Sequence, residues 1–156
     1  MKSTSIEPRA RDMVALTGEV REPTWLTMDT LRSMAQRETT VTFECRTSGL
    51  RRHHFRGPLL IDVLRAAGPL FDPGERKDRL RFMILVRGRD GHHAVVSWGE
   101  VDPEFGDIPA LLAVSLDHRD LDEQGPHLVM PGDRCGGRHI SQVTDIKVCA
   151  DDPLWG

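Results

Sequence analysis

The chain has 156 residues, with 21 basic against 24 acidic side chains, a net charge of −3, and 38% hydrophobic and 29% charged residues. That is ordinary for a globular domain, and a chain of this length buries about 70% of its unfolded surface in a single core. The charge excludes bulk attraction to nucleic acid or an anionic membrane. No stretch reaches the roughly 18 to 20 consecutive apolar residues that cross a bilayer.

Met1 to Asp12 reads as a flexible polar arm without the apolar centre of a secretion signal, so a cytoplasmic protein is expected. Met13 to Val20 predicts a strand, because Val14, Leu16 and Val20 are spaced two or four apart. Thr27 is the expected N-cap of a short helix to about Ala35, with Asp29 in the first turn and Leu31 and Met34 as its apolar stripe. Thr39 to Cys45 is the clearest strand: Val41, Phe43 and Cys45 alternate with Thr42 and Glu44, which puts Cys45 on the apolar face at the strand's end. The basic stretch after it reads as a loop. Leu59 to Ala67 predicts a second helix, closed by Gly68 and Pro69.

Phe71 to Arg79 reads as a charged loop and Leu80 to Val86 as an apolar strand. Arg89, Asp90 and Gly91 form a turn into a further strand from His93 to Trp98. Short strands are expected at Leu111 to Leu116 and His127 to Met130, then a glycine-rich loop from Pro131, a last strand from Ile140 to Val148 and a tail over 151–156. The sum is one α+β domain over residues 13–150, with mixed β-sheets and short helices. The regular βα alternation of a doubly wound parallel sheet is missing.

Four features could carry chemistry. Arg46, Arg51, Arg52 and Arg56, with His53 and His54, crowd into eleven residues, and guanidinium forks suit anionic oxygens. A solvated loop balancing nearby acids is the plainer account. Gly132, Gly136 and Gly137 in the stretch from Pro131 to His139 let backbone N–H groups approach an anion, and Arg138 adds charge, yet a hairpin connection would look the same. His92 and His93 point to opposite faces of a strand and cannot readily share one metal. Cys45 has cationic neighbours that favour the thiolate, although free cysteines are more often small buried hydrophobes. Cys149 is expected in the core and Cys135 exposed. The three cysteines follow no zinc spacing, and an odd number argues against a disulfide framework.

Taken in order, these segments resemble the molybdopterin-binding domain of the sulfite oxidase and methionine-sulfoxide-reductase-like family, over about Met13 to Val148. The carriers are the opening strand from Val14 to Val20, the helix from Trp25 to Leu31, the strand ending in Cys45, and Gly57 twelve residues later introducing a helix. The strand from Asp90 to Ser97 and the segments from Gly125 to Asp133 and Gly137 to Ile140 continue the pattern. The resemblance implies the sulfite-oxidase-type fold and a molybdenum cofactor, with Cys45 as the metal's thiolate ligand; a soft thiolate suits a sulfur-rich centre. It further implies that Arg138 and the loop from Gly132 through Gly137 to His139 hold the pterin and its phosphate. Arg46, Arg51, His53, Asp90 and Ser141 are further candidates to line the cofactor, and His92 or His53 is the candidate proton carrier, because an imidazole titrates near neutral pH. The chain departs from the pattern at Ser141, where a lysine is frequent, at Gln142, where a tryptophan is, and at His92, where a tyrosine is.

Three readings follow. The first is a small molybdenum oxidoreductase transferring oxygen atoms or electrons, with a small anionic substrate and an external electron-transfer partner. The second is a metal-free module of the same fold that holds a pterin or another anion. The third is the same cleft recruited for histidine and cysteine chemistry without molybdenum.

Overall fold

The computed structural model describes residues 13–45, 47 and 49–156; the side chain of Cys45, together with Arg46 and the expected arm at Met1 to Asp12, lies outside the described residues. In chain order the elements are β1 (Met13–Gly18), β2 (Thr24–Thr27), α1 (Met28–Ser33), β3 (Arg37–Cys45), β4 (Gly49–Gly57) and α2 (Leu60–Ala66). A 3-10 turn (Arg76–Arg81) leads into β5 (Phe82–Gly88), β6 (His93–Ser97) and α3 (Trp98–Val101). Then come β7 (Leu111–Ala113), β8 (Ser115–Leu116), β9 (Arg119–Asp120), β10 (His127–Val129), a 3-10 turn (Arg134–Gly136) and β11 (Val143–Ala150).

Alternation decides which face of each strand is buried. In the five-stranded sheet, ordered β2-β1-β11-β5-β6, Val14 and Leu16, Ile84 and Val86, and Ile146 and Val148 turn to one side and are fully buried. Leu31, Leu60, Val63 and Leu64 of α1 and α2 pack into the same core. β1 and β11 run parallel and the other pairs antiparallel, so the sheet is mixed, as expected for this fold class. Trp98 is buried there, and its indole N–H donates to Asp102 Oδ2 at 2.9 Å. The Thr27 hydroxyl accepts from the Thr30 amide, capping α1 as predicted.

A second, smaller core holds the rest. Val41, Phe55, Leu111, Ala113 and Val129 cluster between a four-stranded sheet, ordered β3-β4-β8-β9, and the β7-β10 pair. The basic stretch after Cys45 is therefore a strand and not a loop: β4 pairs with β3 along its full length, from Arg37↔Gly57 to Cys45↔Gly49. One buried aromatic, Phe55, and a complete ladder of backbone hydrogen bonds outweigh the low strand preference of the charged residues, whose heads stay in water. The apolar run from Leu111 also divides, because Val114 separates β7 from β8 and the two belong to different sheets. Cys149 is half-buried rather than core, since strand alternation sets it opposite buried Val148 and Ala150, while Cys135 is exposed as expected. Among the described residues no helix is long and apolar enough to cross a membrane.

Candidate functional site

The segment from Pro131 to His139 forms a bend with a closed neck. Leu128 and Ile140 exchange backbone hydrogen bonds of 2.8 and 3.2 Å at its base, and beside them His127 Nδ1 lies 3.1 Å from His139 Nε2. Gly132 has φ +94° and nothing within reach of an added side chain, so its backbone is open on that side. Gly136, at φ +60°, comes so close to Phe43 that a Cβ would meet the ring at 3.0 Å. Cys135 is a non-glycine residue in the left-handed region, at φ 57° and ψ 20°, a conformation that costs about 1 kcal/mol or more.

The bend lies against the edge strand β3, and between them is a hollow of about 360 Å³. Thr40, Thr42 and Glu44 line it from the strand, and Gly132, Arg134 and Cys135 from the bend. Cys135 Sγ stands 3.9 Å from Glu44 Oε2 across the gap. The strand that ends in Cys45 and the glycine-lined bend, 86 positions apart from Cys45 to Pro131, thus form opposite walls of one concavity.

Arg138 faces elsewhere. Its Nε and one terminal nitrogen bind both oxygens of Asp133 at 2.8 and 2.9 Å, and the other terminal nitrogen reaches Glu100 of α3 at 2.9 Å. The Arg138 guanidinium holds the Asp133 carboxyl below the usual carboxylate range. Burial pushes the Glu100 carboxyl up, but the Ser97 amide and Arg138 outweigh it, and it too is lowered. Arg138 is thereby a tie between bend and helix. Replacing it with methionine leaves two facing carboxylates without their cation; a loss of roughly 1–2 kcal/mol is expected for this partly exposed network. A thermal melt reads it, and an unchanged midpoint would show that the tie contributes nothing.

An imidazole pair is the buried polar feature of the bend's neck. His127 is 5% exposed, and burial pushes its pKa down to about 4. His139 is also lowered to about 4, first by burial and then by the charges of His127, His53 and His92. Both rings are neutral at pH 7 and share one hydrogen bond, which leaves His127 Nε2 and His139 Nδ1 buried without a partner among the described residues. Phe43 and Phe55 pack on His139 at 5.1 and 5.3 Å, and the His53 ring lies 5.8 Å from that of Phe43.

The structure therefore gathers Gly132, His139 and His53 around β3 and the bend. Arg51 is the register partner of Phe43 on β4 and is exposed. Gly137 is exposed on the outside of the bend, and Ser141 is exposed just beyond its neck. Asp90 and His92 sit in the β5-β6 turn, where Asp90 Oδ1 accepts the His92 amide at 3.0 Å; both are exposed, and His92 lies near enough to the bend to act on His139 through its charge. Sequence reasoning missed His127, Glu44, Glu100 and Asp117. Only His127 left a signal, as a lone polar residue heading an otherwise apolar run. Among the described residues no group of three or more histidine, cysteine or acidic side chains could hold a metal ion by itself.

Comparison with known proteins adds a family and a fold. A sequence model of the oxidoreductase molybdopterin binding domain matches residues 5–153. The crystal structure of the sulfane dehydrogenase SoxCD from Paracoccus pantotrophus superposes with a TM-score of 0.69 at 17% sequence identity. The match covers 89% of this chain and 39% of that one, so the chain spans about two fifths of that protein's length, and the likeness is one of fold. No curated protein matches the chain at a significant level.

Proposed function

Because the chain belongs to the oxidoreductase molybdopterin binding domain family, we propose that it holds a molybdenum cofactor in the hollow between β3 and the bend and works as a small oxidoreductase on an anionic substrate. The observation that supports this best is the meeting of the strand ended by Cys45 with the glycine-lined bend, with Cys135 on Glu44 and Gly136 on Phe43.

The residues fit the group. A hollow of about 360 Å³ lies in the range of small-ligand sites, roughly 300 to 1,000 Å³. Its bend side offers the open backbone of Gly132 and the exposed Arg134, and its strand side the hydroxyls of Thr40 and Thr42. The bend groups would hold the pterin and its phosphate, and the Cys45 thiolate, at a position that by register belongs with Val41 and Phe43 on the other face of β3 from Thr40, Thr42 and Glu44, would be the protein's ligand to the metal, as a soft donor suits. Arg51, from β4, would draw in an oxyanion substrate. Arg138 acts indirectly: by neutralising Asp133 it removes one carboxylate that would repel an anion at the bend. When bound, the cofactor supplies oxygen-atom or electron transfer, with an external protein exchanging the electrons.

A metal-free binding module is the second reading, favoured by the Glu44 carboxylate in the hollow and by Ser141 where a lysine would add positive charge. Metal analysis separates the two. Protein purified from cells that make molybdenum cofactor should carry close to one molybdenum per chain, and Cys45→Ala should lose at least nine tenths of it while keeping a cooperative unfolding transition and the wild-type far-UV circular dichroism. Wild-type protein without molybdenum would defeat the oxidoreductase reading. Equal metal in Cys45→Ala would remove the thiolate from it.

A further inference from the structure

The β8-β9 hairpin turns through Asp117 and His118, whose φ angles are 50° and 68°. A two-residue turn with both residues left-handed normally takes asparagine and glycine. Here aspartate and histidine, both exposed, take those places, and short polar side chains of this kind enter the left-handed region when they bond locally. The turn delivers a carboxylate. Asp117 Oδ2 lies 2.8 Å from His53 Nδ1, Oδ1 accepts the His54 amide at 2.8 Å, and the Asp117 amide donates to the His54 carbonyl at 2.7 Å. The His118 ring stacks on His54 at 4.8 Å, and His54 Nε2 in turn meets Glu38 at 2.7 Å. Three hydrogen bonds and a ring stack thus hold Asp117 where only one of its contacts is to an imidazole.

That contact decides a tautomer. The carboxyl of Asp117 is held below the usual carboxylate range by the His54 amide and then by His53, so it accepts and does not donate. His53 Nδ1 must therefore carry a proton, and in the neutral form of the ring the lone pair lies on Nε2. The cross-strand register places position 53 opposite 41, 51 opposite 43 and 49 opposite 45, all on one face of the β3-β4 hairpin. The His53 ring packs near Phe43, whose ring also contacts His139. The imidazole thus stands on the face to which position 45 belongs by register.

We propose that Asp117 is a positioning residue that locks His53 as the Nδ1–H tautomer, and that His53 Nε2 is the proton acceptor of this site, for a protic group of the substrate or a bound water. In that step the donor's O–H bond breaks and its electron pair stays on oxygen. The proton goes to Nε2, and the resulting imidazolium faces the Asp117 carboxylate. The location beside the cofactor rests on the functional reading above, whereas the tautomer lock and the basic nitrogen belong to this chain alone.

Two measurements on the chain as purified test it. Nitrogen-15 NMR at pH 8 should show His53 as a single Nδ1–H tautomer. Asp117→Gly suits the left-handed backbone, so it removes the carboxylate while keeping the turn, and it should abolish that single-tautomer signature with the amide fingerprint otherwise intact. Diethylpyrocarbonate, which acylates an unprotonated imidazole nitrogen, should modify His53 at least threefold faster in the wild type than in Asp117→Gly, as mapped by peptide mass. A His53 that carries its proton on Nε2, a tautomer indifferent to Asp117→Gly, or equal modification rates would each overturn the assignment. Loss of the molybdenum reading in the Cys45 experiment would leave both measurements decisive, so the two ideas fail separately.

Discussion

Gly57→Ala is expected to cost about 3 kcal/mol or more and to lower the thermal midpoint by roughly 10 °C for a chain of this size. A Cβ at position 57 would stand 2.4 Å from the Leu112 carbonyl oxygen, 2.7 Å from the Ala113 Cα and 3.0 Å from the Val114 nitrogen. All three are backbone atoms, so no side chain can swing aside, and β4 would have to part from β7. That contact joins the two cores: Leu112 belongs to the larger and Ala113 to the smaller. Separation would open both and loosen β4 beneath the hollow. Gly132→Ala is the natural control. Its φ of +94° strains a side chain, but nothing crowds the new methyl, so a loss nearer 1–2 kcal/mol is expected. Equal melting temperatures for Gly57→Ala and the wild type would refute the steric argument.

Stability should also fall earlier on acidification than carboxylates alone would dictate. His127 is lowered from 6.5 to about 4 by burial. The unfolded chain therefore binds the proton first, and the stabilisation is complete above pH 6.5. It drains away as the pH drops from 6.5 toward 4, at about 1.4 kcal/mol per pH unit, or roughly 3 kcal/mol across the window. His139 is lowered in the same sense and steepens the loss. Asp133, Glu100 and Asp102 are depressed carboxylates, so their contribution is lost only at lower pH. The double variant His127→Leu, His139→Phe removes both titrating rings and the two partnerless nitrogens together, and apolar replacement of a whole buried pair can be nearly neutral. Denaturant midpoints should slope downward between pH 6.5 and 4 in the wild type and stay level in the double variant. Parallel curves would mean that the pair does not govern the acid limb.

Because the bend's neck is closed by this same pair, the acid limb and the hollow are linked. Protonation places a charge beside the Leu128–Ile140 bridge that closes the neck of the bend. Gly57, Arg138 and the imidazoles therefore secure the bend's surroundings through three different forces: steric fit, ion pairing and buried hydrogen bonding.

Local signals made much of the architecture legible. Thr27 announced a helix start because its hydroxyl satisfies an amide three residues on. The alternation of Val41 and Phe43 with Thr42 and Glu44 announced β3, because a strand with one buried face must read that way. β4 was illegible for the opposite reason. Arg51, Arg52, His53 and His54 carry no alternation, and only pairing with β3 makes a strand of them. The site was half legible. Glycines marked the bend, yet nothing near Arg138 in sequence revealed that Glu100, 38 positions away, would take up its charge. Asp117 was illegible too, since its contact with His53 spans 64 positions.

Composition, periodicity and motif order by themselves determined the fold class, the family resemblance and the adjacency of a strand-ending cysteine to a basic segment. These are properties of short stretches, where side-chain spacing maps directly onto buried faces and caps. Which charges stay free, which imidazoles lose their water and which walls meet across the hollow were decided only by tertiary structure. Electrostatics and desolvation depend on what lies within a few ångströms in space, and here those neighbours come from strands and turns scattered along the chain.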